Sequence, residues 1–235
     1  MSDPAALAGF VAKWRARWPE WSIAQVFVPL AQREVVAAWF ALLQELTDAA
    51  WGGSDPTPGL AKLAWWQEEL RGWSKGARRH PLGDSLQRLP APWSTLGASL
   101  MALQQSRDWP DDAEAAIRIT RPFAAAVAEC EAALFGVPAN ASALVGTTLL
   151  AERLLADPQA AVPLRIAAND GAPMGSAGAW AIELQSAWPL AGTRPRRLQA
   201  ALLRARLSAF ADSGRNEPLA PWRTLIVAWR AARKA

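Results

Sequence analysis

The segment WWQEELRGWSKGARRHPLGDSL, residues 65–86, holds two adjacent glutamates, a basic cluster and the only histidine of the chain. Carboxylates beside an imidazole can move protons or hold a metal. The spacing argues for a plainer role. On a helix, Leu63, Trp66, Leu70 and Trp73 fall at i, i+3, i+7 and i+10, one apolar stripe that belongs against a core. Glu68 and Arg71 lie three apart on another face, an ordinary exposed pair. Gly76 is placed to stop the helix. His80 precedes Pro81, which biases it to extended backbone outside the helix. A lone histidine with no serine, cysteine or second histidine nearby is poor machinery for catalysis. Glu68, Glu69 and His80 therefore read as structural. Trp66, Leu70 and Trp73 should be buried, and Glu68 should face solvent.

Three further groups invite a chemical reading. Asp108, Asp111 and Asp112 imitate a metal-binding cluster, but DWPDDAEAA suits a helix start better. Asp108 is the candidate N-cap, Pro110 sits in the first turn, and the remaining acids lie near the positive end of the helix dipole. Trp14, Trp18 and Trp21 fall at i, i+4 and i+7 across Pro19. Core packing is the expectation for them, with an interfacial anchor as the alternative. GAPMGSAG lacks the strand–turn–helix setting of a phosphate loop. No helix-turn-helix or zinc-finger spacing supports nucleic-acid binding.

The elements that position these residues read as helix after helix. Helical periodicity covers 7–17, 31–50, 59–73, a short 82–89, 94–105, 108–134, 141–156, 180–186, 196–211 and 221–233. On 31–50, Val35, Trp39, Leu42 and Leu46 share one stripe. Residues 169–178, NDGAPMGSAG, read as a loop. Sustained β-branched alternation is missing throughout. The expectation is an all-α, single-domain bundle over residues 1–235, packed around a common core.

Composition narrows the classes. The chain has 14 Trp and no Tyr. Cys130 is its single cysteine, which excludes an intramolecular disulfide and fits a reducing compartment. The N-terminus lacks a signal-peptide pattern, and no run of about 18 apolar residues suggests a transmembrane helix, so a cytoplasmic location is expected. Net charge is +4, unevenly spread. Residues 191–235 carry ten Lys/Arg against Asp212 and Glu217. Such a section suits anionic headgroups or a diphosphate; the plainer expectation is a pair of solvated arginine-rich helical faces.

LAKLAWWQEELRGWSKGARRHPLGDSL also resembles the signature segment of the squalene/phytoene synthase family: a Trp-containing helix with an acidic-Leu pair, a Gly, and a His-Pro before a short helix. VFVPLAQREVVAAWFALLQEL is similar to the family's preceding helical pair, ITRPFAAAVAECEAALFG to its central helix, and ALVGTTLLAERLLADPQAAVPL to its second acidic helix and the loop that follows. The resemblance is clearest over residues 26–165. It implies an isoprenoid synthase-type bundle around a central cavity. Family enzymes join two prenyl diphosphates, holding Mg2+ on carboxylates from two facing helices while an apolar cavity shelters the allylic cation.

The aspartate-rich motifs of that family are eroded here. The first is represented by Glu45 and Asp48, three apart and on one face. The second is represented by Glu152 and Asp157, five apart and expected on different faces. These four are the metal candidates if the chain is an active Mg-dependent prenyltransferase. They are too few for the family's metal cluster, so no cofactor is the expectation. The pattern is similar to the branch that contains the mitochondrial complex I assembly factor. The sequence thus points to a non-catalytic binding or assembly protein with a prenyl diphosphate, lipid or protein partner. Its rivals are an active prenyltransferase and a peripheral lipid-binding helical module at a membrane surface.

Overall fold

The structure, a computed structural model, describes residues 4–136, 141–168 and 175–233. Every regular element among them is a helix. In chain order these are α1 (Pro4–Arg17), α2 (Trp21–Ala24), α3 (Arg33–Trp51), α4 (Thr57–Trp73), α5 (Gly83–Leu86), α6 (Trp93–Gln105) and α7 (Ala113–Phe135), followed by α8 (Ser142–Ala156), α9 (Pro158–Ala161), α10 (Leu164–Ala167), α11 (Gly175–Ser186), α12 (Arg194–Ser213) and α13 (Pro221–Arg233). The all-α reading holds.

The long helices pack in sequence. α3 lies on α4, α4 on α6, α6 on α7, α7 on α8 and α8 on α12, while α1 covers α3 and both α11 and α13 flank α12. The circuit is closed by a pair of residues distant in the chain. Arg206 on α12 donates through Nε to Glu20, just before α2, at 2.7 Å, and both are buried. Tryptophans fill the interior. Trp14 stacks on Phe40 at 5.6 Å with Trp21 edge-on at 5.4 Å, and Trp73 meets Trp93 edge-on at 5.2 Å. Trp14, Trp18 and Trp21 are all buried, as core packing requires.

The segment around residues 65–86 is a structural staple. Trp66, Leu70 and Trp73 are buried and Glu68 is exposed, as the spacing predicts. Glu69 is buried and folds the exit of α4 back on itself. It accepts from the backbone N–H of Arg79 at 2.7 Å and of His80 at 2.8 Å, and from Trp73 Nε1 at 2.8 Å. Burial pushes its carboxyl up, but these donors outweigh burial and hold it below the usual range. The His80 ring sits against Phe10 at 4.5 Å and Trp66 at 4.4 Å, and its Nδ1 accepts from the Leu82 N–H at 3.2 Å. Burial lowers its pKa to about 4, so it is neutral.

Boundaries depart from expectation where tertiary contacts intervene. α7 starts at Ala113, capped by Asp112, which accepts from Ala115 N–H at 2.8 Å. Asp108 does not cap it. The intervening backbone is drawn to α10 instead: Leu164 N–H donates to the Pro110 carbonyl and Arg165 N–H to that of Asp111, both at 2.9 Å. α11 begins at Gly175, so the last four residues of the expected 169–178 loop are helical, while 169–174 lie outside the described residues.

Candidate functional site

A cavity of about 810 Å3 lies between α1, α3, α8 and α12. Its walls are apolar and aromatic, with Trp14, Trp18, Phe40, Trp51, Leu149 and Leu203. Most of its polar groups come from three helices, with Arg17 of α1 and Arg107 beyond α6 added to them. On α3, a helix buried nearly all round, Gln44, Thr47 and Asp48 fall at i, i+3 and i+4 and face the cavity. On α12, Arg196, Gln199, Leu203 and Arg206 fall at i, i+3, i+7 and i+10 and form one lining ridge. α8 adds Glu152 and Arg153, and Asp157 follows at its end.

Most of these groups are tied down. Arg196 donates to Glu131 on α7, and to Gln199 at 2.6 Å, and its guanidinium lies 5.1 Å from the Phe40 ring. Arg206 is paired with Glu20 and sits 4.5 Å over Trp18. Arg196 and Arg206 are therefore buried and counter-charged, which corrects the expectation of a solvated face for these two, while Arg204 is exposed as expected.

The four metal candidates part company. Asp48, Glu152 and Asp157 all line the cavity; Glu45 does not. One helical step turns Glu45 away, and Gln44 takes the inward position. Glu45 is buried between Lys13 and Lys62, each at 2.6 Å. Burial raises its pKa, but those two lysines hold it below the usual range. Asp48 meets Arg17 at 2.8 Å and Lys13 at 3.0 Å, one cation on each oxygen. Glu152 accepts from Gln199, and burial pushes it up to about 7 against the pull of the Arg196 and Arg17 charges. Asp157 caps α9, accepting from the N–H groups of Gln159 and Ala160, both at 3.1 Å. Although Glu152 and Asp157 are five apart, the end of α8 at Ala156 lets both reach the same cavity.

No protein-family model and no curated protein matches the chain. Among solved structures, squalene synthase HpnC from Alicyclobacillus acidocaldarius matches 92% of this chain and 98% of its own, at 20% identity and a TM-score of 0.54. The chain has the isoprenoid synthase fold. The likeness lends no support to the assembly-factor branch.

Within this isoprenoid synthase fold, the donor set does not fit a Mg2+ cluster. Hard divalent ions need several free, convergent oxygens. Here Asp48 is paired with two cations, burial pushes the Glu152 carboxyl up to about 7, and Asp157 is engaged as a cap. No group of three or more acidic, His or Cys side chains among the described residues can hold a metal. Two cavity arginines, by contrast, have no ion-pair partner among the described residues. Arg107 donates through Nη1 to the carbonyls of Ala50 and Gly52, both at 3.1 Å. Arg153, which is buried, donates to the carbonyls of Arg107 at 2.7 Å and Ala160 at 2.9 Å. The carbonyls orient both guanidinium groups without cancelling their charge.

The arginines and Gln44 are the functional candidates that a search for carboxylates overlooks. For Gln44 the signal is a short polar file on an otherwise apolar helix, visible in LLQELTD at helical spacing, and for Arg153 it is a single basic residue on α8.

Proposed function

We propose that this protein binds an anionic amphiphile, a prenyl diphosphate or related lipid phosphate, in the cavity, without a metal and without condensing it. The observation that carries this reading is the pair Arg107 and Arg153, two cations on an aromatic-walled cavity with only carbonyl partners. Arg153 is buried, and Asp157 and Asp108 act on its charge only at a distance, so an anionic headgroup would offset part of its desolvation cost on binding. The guanidinium fork suits a phosphate, and Trp14, Trp18 and Phe40 suit an isoprenoid or acyl tail. Arginine then supplies the charge that Mg2+ would supply in a synthase.

Titration calorimetry with farnesyl diphosphate tests the reading. Binding should persist in EDTA, and no diphosphate should be released when Mg2+ is added. Arg107→Ala should weaken binding by about tenfold or more, the worth of one charge-assisted hydrogen bond. Binding that appears only with Mg2+ would overturn the proposal.

One observation favours the rival reading of an active prenyltransferase: Asp48, Glu152 and Asp157 share the cavity. Mg-dependent diphosphate release that is lost in Asp48→Asn would establish that activity. Association with a protein partner has only the sequence resemblance behind it.

A further inference from the structure

The C-terminal helix presents an apolar face to solvent. On α13, Trp222, Leu225, Ile226 and Trp229 fall at i, i+3, i+4 and i+7, and they are 67%, 48%, 39% and 46% exposed. The opposite face, Thr224, Ala228 and Ala231, is the buried one. This inverts the usual arrangement of a globular helix, in which the large apolar side chains go inward and the small or polar ones outward. A further exposed apolar side chain lies on a neighbouring element. The 3-10 turn Gln25–Phe27 packs against α13 and exposes Val26.

One flank of this stripe is strongly basic. A groove of about 420 Å3 between α12 and α13 is lined by Arg197, Arg204, Arg223 and Arg230, together with Trp188 and Leu190. No carboxylate among the described residues lines it. None of the four arginines, nor Arg233, has an ion-pair partner among the described residues. Arg197 donates to the Gly192 carbonyl at 2.7 Å and Arg204 to that of Gln185 at 3.3 Å. Arg204 lies 5.9 Å from the Trp188 ring, and Arg233 4.7 Å from that of Trp229. α13 itself carries no acidic residue.

We infer that α13 and the α12–α13 groove dock the protein on an anionic membrane surface, with Trp222, Leu225, Ile226 and Trp229 entering the headgroup–acyl boundary and the arginines meeting lipid phosphates. Charge complementarity selects this occupant. Five cations without counter-ions beside a tryptophan-bearing stripe match an anionic, amphipathic interface. Arginine and tryptophan together also suit the headgroup depth, where one end of the side chain is apolar and the other wet. The helix lies along the surface; none in the described residues is long and apolar enough to cross a membrane. This surface is separate from the α1–α3–α8–α12 cavity, so the two proposals stand or fall independently.

Flotation of the full chain with phosphatidylcholine vesicles, with and without one-third phosphatidylglycerol, tests the inference. Binding should require the anionic lipid and should fall steeply as salt rises from about 50 to about 500 mM. The double variant Trp222→Ala/Trp229→Ala should bind about tenfold more weakly, and so should Arg223→Glu/Arg230→Glu. All four side chains face solvent, and unchanged thermal unfolding of the variants verifies that they fold. No binding to anionic vesicles at low salt overturns the inference. So does binding that both double variants retain in full. A concentration-dependent dimer in sedimentation that Trp222→Ala/Trp229→Ala dissolves, with no vesicle binding, would instead assign the face to a second copy of this chain.

Discussion

Glu152 and His80 set opposing pH dependences on stability, and a single substitution should expose them. Burial lifts Glu152 from 4.5 to about 7. Between those values the folded chain keeps a proton that the unfolded chain has lost, so stability falls as pH rises. Burial lowers His80 from 6.5 to about 4. Across that interval the unfolded chain takes up a proton that the folded chain refuses, so stability falls as pH drops. At roughly 1.4 kcal/mol per pH unit, each displacement is worth at most about 3 kcal/mol. The two windows overlap from about 4.5 to 6.5, where the contributions cancel. Glu152→Gln keeps the acceptor for Gln199 and removes one arm of the balance. Its stability relative to the parent should be near zero at pH 4.5 and should climb to as much as about 3 kcal/mol at pH 8. Urea unfolding followed by tryptophan fluorescence at pH 4.5, 5.5, 6.5 and 8 measures this difference. A difference that stays constant with pH would refute the burial of a titrating carboxyl at Glu152.

Two further outcomes follow from the packing. Trp66→Ala should destabilise by about 3–5 kcal/mol, as truncations of large core aromatics do, whereas Glu68→Gln on the exposed face should change stability by less than about 0.5 kcal/mol; chemical denaturation compares the two. Gln44 keeps a buried Oε1 without a hydrogen-bond partner among the described residues, so Gln44→Met should stabilise the free protein by about 1 kcal/mol, the cost of an unmet polar group, and calorimetry should show weaker binding of a phosphorylated amphiphile.

Much of the fold was legible because the long helices carry their own periodicity. The expected helix at 221–233 coincides with α13, and 31–50 lies within two residues of α3 at each end. Short elements were less so. α9 and α10 hold four residues each, too few to show a period. The sequence leaves the start of α7 open because Asp108 and Asp112 are equally good caps in isolation, and only the bond from α10 to the Pro110 carbonyl decides between them. The acids by themselves misplace the site. Glu45 and Gln44 are neighbours in sequence and differ by one helical step, and the inward one is the amide. Arg196 and Arg206 read as solvated because their counter-charges, Glu131 and Glu20, lie 65 and 186 residues away. Long-range pairing of this kind leaves no local trace.

The Glu20–Arg206 pair has a consequence for how the chain is made. Synthesis is vectorial, and the N-terminal helices leave the ribosome long before α12 does. Through that interval Glu20 has no Arg206 to meet, and Trp14, Trp18 and Phe40 face a gap that α12 will later fill. A nascent chain ending before residue 194 therefore carries an open trough of aromatic side chains beside an unneutralised carboxylate, the kind of surface that chaperones hold. The cavity is incomplete until α12 has been made, because Arg196, Gln199, Leu203 and Arg206 form one of its walls.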